Sequence, residues 1–89
     1  MKAIVSVIGI DKPGIVASVS TVLAECKVNI TDISQSYAQE FFTMIMVVDL
    51  EKSEFTLKEV GEKLKKKGDE IGVFTSIQHE DIFRAMHRI

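Results

Sequence analysis

Residues Phe41 to Leu50 are apolar on both sides of an extended chain. Phe42, Met44, Met46, Val48 and Leu50 fall on one face, and Phe41, Ile45 and Val47 on the other. A strand apolar on both faces belongs in the middle of a sheet with both faces covered. The run Ala3 to Gly9 is β-branched and almost wholly apolar, and reads the same way. Two central strands need two flanking ones. Asn29 to Gln39 is polar, with Ile30, Ile33 and Tyr37 as its apolar anchors, and Val73 to His79 alternates weakly. Both suit sheet edges. The Ile30–Ile33 spacing breaks strict alternation and predicts a bulge near Asp32.

Helical spacing fills the gaps between these runs. Ile15, Val16, Val19, Val22, Leu23 and Cys26 share one face, with Ser18, Thr21 and Glu25 opposite, and the helix ends near Lys27. A second helix starts at a capping box of Thr56 with Glu59, backed by a staple of Phe55 with Val60. Leu57, Val60, Gly61, Leu64, Gly68 and Ile71 fall in one narrow arc. Two glycines on that stripe predict close approach of helix to sheet, and Gly72 is placed to end the helix. Asp81 is placed to cap a short tail helix with Ile82, Phe83, Ala85, Met86 and Ile89 as its apolar side.

The order is strand, helix, strand, strand, helix, strand, then a tail. It predicts an α+β, ferredoxin-like βαββαβ sandwich: an antiparallel four-stranded sheet, two helices on one face, and a short C-terminal helix. In that topology the first and third strands are central, and these are the two most apolar ones. The 89 residues suffice for one domain, with a core over 1–80 and a tail over 81–89. Net charge is −2, which argues against nucleic-acid and membrane partners. One cysteine, Cys26, allows no internal disulfide, and no secretory or membrane-length apolar stretch is present. A cytoplasmic location is expected.

The chemistry concentrates at Asp11-Lys12-Pro13-Gly14-Ile15-Val16, between the first strand and the first helix. Asp11 reads as the N-cap and Pro13 as a residue of the first helical turn. Gly14 leaves the backbone uncovered, so helix-start amides are open to a small anion such as a carboxylate. A capped helix start with no ligand is the plainer reading of the same residues. Cys26 reads as core, and Lys65 to Lys67 with Lys63 as a solvated face with Glu59–Lys63 and Glu62–Lys66 pairs. The residues His79, Glu80, Asp81 and His87 match no standard zinc spacing, so neither a metal nor a cofactor is expected.

The proline-glycine turn, Leu23-Ala24-Glu25 and Val28-Asn29-Ile30 resemble, in order and spacing, the ACT domain, a ferredoxin-like module that binds amino acids. The likeness covers residues 1 to about 80. The tail His79 to Arg88 resembles that of small stand-alone single-ACT proteins. The resemblance implies a non-enzymatic regulatory module that binds an amino acid at a homodimer interface. Asp11, Pro13, Gly14, Ile15 and Val16 would come from one copy, and Asn29 and Ile30 from the other. A regulated enzyme is the further partner it implies, although no enzyme or DNA-binding domain is expected on this chain. The alternatives are a protein–protein interaction module without ligand, and a small acylphosphatase-like enzyme. Acylphosphatases resemble a different motif with an arginine in the first loop, where this chain has only Lys12. An RNA-binding module would need exposed aromatics and basic charge.

Overall fold

Residues with nothing but apolar side chains to place must lie where both neighbours are backbone, and the two apolar runs do. The computed structural model describes residues 1–86. Its elements are β1 (Lys2–Ile10), α1 (Ile15–Glu25), β2 (Asn29–Ala38), β3 (Phe41–Asp49), α2 (Leu57–Ile71), β4 (Val73–His79) and α3 (Glu80–Met86). The sheet order is β2-β3-β1-β4, and every pairing is antiparallel. This is the expected ferredoxin-like fold, with the apolar β1 and β3 at its centre.

Alternation then sorts the side chains. Ala3, Val5 and Val7 of β1 and Phe42, Met44, Met46 and Val48 of β3 are buried beneath the helices, against Val19 and Leu23 of α1 and Val60 and Leu64 of α2. Each of these side chains except that of Ala3, a single methyl, stabilises the fold by about 1.5–3 kcal/mol. In β2 the register shifts between Ile30, opposite Val48, and Asp32, opposite Val47. Thr31 is the extra residue, and its hydroxyl donates to the Val47 carbonyl at 3.0 Å. The bulge puts Ile30 and Ile33 on the same face, which is why they are spaced by three.

The helix ends follow local chemistry. After α1, Lys27 takes φ 58°, its N–H bonds to the Ala24 carbonyl and the Val28 N–H to the Leu23 carbonyl. That pair of bonds is a Schellman motif, here built on a lysine in the left-handed region. The capping box of α2 is present: Glu59 N–H donates to Thr56 Oγ1 at 3.1 Å, and Thr56 N–H to Glu59 Oε1 at 2.9 Å. The two glycines let α2 lie close to β4. A methyl group on Gly68 would stand 2.7 Å from the Val73 carbonyl oxygen, and one on Gly61 3.0 Å from Ile77 Cγ2. The ion pairs on α2 are Lys65–Asp69 and Lys67–Glu70, not the expected Glu59–Lys63 and Glu62–Lys66: the Glu59 carboxylate turns back to the cap, and Lys63 sits 4.9 Å over the Phe55 ring.

Two further expectations need correcting. The tail helix begins at Glu80, so Asp81 lies inside its first turn and donates its N–H to His79 Nδ1 at 3.1 Å. The imidazole does the capping, since it precedes the helix and offers an acceptor. The other correction concerns β3, whose outer face is not covered along its length. Phe41 is 47% and Ile45 39% exposed, because α3 is short and reaches only the end of the sheet near Ile4 and Val47. His87 and Ile89, assigned to the tail, lie outside the described residues.

Candidate functional site

At the end of β1 the backbone leaves the sheet but stays tied to it. The Asp11 N–H donates to the Glu40 carbonyl at 2.8 Å, fastening the β1–α1 connection to the β2–β3 hairpin. Pro13 fixes the approach, and Gly14 follows with φ 88° and ψ 0°, the values of the third residue of a type II turn. Gly14, not Asp11, is the N-cap of α1, and Pro13 lies in the turn before the helix. The turn needs a left-handed residue directly before Ile15, and glycine caps almost as well as a polar residue, so no role is left for the Asp11 carboxylate at the cap.

The helix therefore starts without a side-chain cap. Its first backbone bond runs from Ser18 N–H to the Gly14 carbonyl at 2.9 Å. The amides of Ile15, Val16 and Ala17 have no partner within the helix, and they stand at the positive end of its dipole. A Cβ on Gly14 would meet nothing within 4 Å. Glycine is required here by the backbone conformation, and it leaves the approach to those amides open. Asp11 and Pro13 are exposed, the Ile15 side chain is in the core, and Val16 packs on the core's edge.

Lys12 has a role that sequence reasoning missed. Its Nζ donates to the Ile71 carbonyl at 2.6 Å, at the C-terminus of α2, where a cation is favoured. Gly72 follows with φ 76°, and a side chain there would press on Lys12 Nζ at 2.9 Å. The turn is thus held on one side by the hairpin and on the other by α2. A contact between residues 59 apart leaves no periodic signal, but Gly72 ending α2 does announce carbonyls in need of a donor.

Asn29 and Ile30 are not brought to this turn. Asn29 pairs with Asp49, which pairs with Lys2, at the opposite end of the sheet from Ile10. From Lys2 to Ile10 the strand runs roughly 26 Å at about 3.3 Å per residue. Asn29 is exposed beside a cleft of about 310 Å³ shared with Lys27, Asp49, Glu51 and Lys52. The Asp49 carboxylate accepts the Glu51 N–H at 2.9 Å and lies 3.5 Å from the N-terminal ammonium. The Glu51 hydrogen bond foremost, with the ammonium and Lys2, holds its carboxyl below the usual range against the opposing effect of burial. Cys26 is buried, and burial pushes its thiol up despite nearby Lys63, so it is core and not a nucleophile.

Residues 2–78 match the sequence profile of the ACT domain. The chain belongs to the ACT domain family. It is 53% identical to a UPF0237 protein of Clostridium acetobutylicum, over the full length of both chains. Among solved structures, an ACT domain protein from Streptococcus pneumoniae superposes with a TM-score of 0.82 at 41% identity, covering 98% of each chain. The regulatory subunit of aspartate kinase from Thermus thermophilus superposes with a TM-score of 0.68 at 29% identity, over 86% of this ACT chain and 50% of that one. No helix among the described residues is long and apolar enough to cross a membrane.

Proposed function

We propose that this ACT domain is a cytoplasmic, non-enzymatic regulator that binds an amino acid between two copies of itself. The observation that carries the reading is the uncapped start of α1 behind Gly14, where open amides meet a carboxylate without any side chain intervening. Asp11, Pro13, Gly14, Ile15 and Val16 form one half-site. Asn29 and Ile30 of a second copy form the other, with the Asn29 carboxamide oxygen as acceptor for the ligand ammonium. The similarity to a regulatory subunit supports the regulatory role.

The sheet supports the need for two copies. Within one chain the halves are separated by several times the length of a free amino acid. β2 is an edge strand, and Ile33 to Ala38 contains neither a charge nor a proline to block pairing. Antiparallel pairing of β2 with its twin lays the Asn29 end of one copy beside the Ala38 end of the other. Ala38 pairs with Phe41, and Phe41 with Ile10, so that end adjoins the Gly14 turn.

Thermal denaturation against a panel of the amino acids tests this. Ligand at about 100 times its Kd adds about 2.7 kcal/mol, a rise of roughly 10 °C or more for a domain this small. No rise with any amino acid at tens of millimolar contradicts the proposal.

A further inference from the structure

One nitrogen at the end of β4 stands between two groups of a single residue. His79 Nδ1 accepts the Asp81 N–H at 3.1 Å, and the Asp81 carboxylate oxygen Oδ2 lies 3.7 Å from the same atom. The two contacts require opposite states of the ring. An imidazole nitrogen accepts an N–H only when it carries no proton, and it pairs with a carboxylate only when it does. The shorter contact is that of the neutral ring. Imidazole is also the side chain that ordinarily changes charge near neutrality, at about pH 6.5. What depends on this nitrogen is α3. A helix of seven residues does not hold itself together. This one is kept on the sheet by Phe83, beside Ile4 and Val47, and by His79 at its start.

We propose that His79 is a pH-sensitive latch for α3: the neutral ring caps the helix, and the protonated ring leaves the Asp81 N–H for the Asp81 carboxylate and loosens the helix from the sheet. Protonation strands that N–H and places a cation at the positive end of the helix dipole. The ion pair gained in exchange is weak, because the Asp81 side chain is 82% exposed and water screens it. The other charges around His79 do not reverse this balance. On α3, Glu80 favours a cation but is shared with Arg84 at 3.7 Å. On β1, whose Ala3 pairs with His79, Lys2 and the N-terminal ammonium oppose a further cation, and the ammonium already lies 3.5 Å from Asp49. On α2, Gly61 stands over Ile77, and the charge one turn earlier, towards His79, is Lys58, again a cation. The cap is therefore present above the titration of His79 and lost as pH falls through it. Below it, Ile4 and Val47 lose the cover of Phe83.

Nuclear magnetic resonance of the full chain from pH 8 to pH 5 tests this, with the helical Cα shifts of residues 81–85 read against the His79 ring signals. The ratio of formed to open α3 is expected to fall about fivefold, the equilibrium factor of one lost cap, with the midpoint of the His79 ring. His79→Asn supplies a side-chain oxygen that caps at every pH, and it should hold the shifts constant. The other histidine, His87, is unchanged in that variant, so the comparison isolates His79. Asp81→Asn keeps the N–H but removes the carboxylate, and the fall should become larger. A wild-type α3 that keeps its shifts to pH 5, a fall that does not follow the His79 ring, or a His79→Asn protein with the wild-type fall overturns the proposal. Should His79→Asn fail to fold, Asp81→Asn decides, and a fall no larger than that of the wild type overturns it.

Discussion

Gly14 has empty space around it and a backbone conformation that other residues resist. Crowding and conformation therefore make opposite forecasts for Gly14→Ala. With nothing within 4 Å of the new methyl, packing forecasts no loss. With φ at 88°, the backbone forecasts a loss of about 1–2 kcal/mol, and conformation should win. Urea unfolding midpoints measure the difference. The sequence displays Pro13-Gly14 as a turn but not which residue caps α1. Asp11 and Gly14 are both good caps, and only the left-handed turn decides between them. Lys12 was unreadable for another reason, because its partner is a backbone carbonyl on a distant helix.

Elements were largely legible because each carries its own chemistry. The bulge in β2 was visible in the Ile30–Ile33 spacing, and the start of α2 in Thr56 and Glu59. The outer face of β3 misled, because an apolar face states that it wants cover without saying who provides it. The stripe glycines of α2 give a sharp test. In an open helix Gly68→Ala would stabilise by about 1 kcal/mol. Here the methyl meets the rigid Val73 carbonyl at 2.7 Å, so we expect clear destabilisation in urea. Gly61→Ala meets only the end of the Ile77 side chain and should cost less. At the end of β3, Asp49 has a folded pKa below the about 3.9 of the unfolded chain. Its contribution is present above that unfolded value and lost as pH falls through the lower folded one. The stability difference between wild type and Asp49→Asn should therefore be constant above about pH 5 and shrink in more acid solution. Unfolding midpoints from pH 6 to pH 2.5 read it.

At the scale of the whole molecule the fold is a slab of two layers, 35 × 35 × 19 Å, with an open sheet face and an unguarded edge. The proposed site is likewise divided within one chain. The Gly14 turn and Asn29 stand at opposite ends of the sheet, so a site that uses both takes one from each of two copies. The order of strands was legible in the sequence, but the distance between the half-sites was not. Registers set that distance, and the sequence alone does not print them. Mixed oligomers measure the claim directly. Gly14→Val removes the turn half of every site and Asn29→Ala removes the other half, so neither variant alone should bind the amino acid found by denaturation. Co-refolded together they form mixed pairs in which one site is intact, and calorimetric titration should recover binding. A mixture that binds no better than its parents, or an Asn29→Ala protein that binds like wild type, would contradict a site shared between two chains.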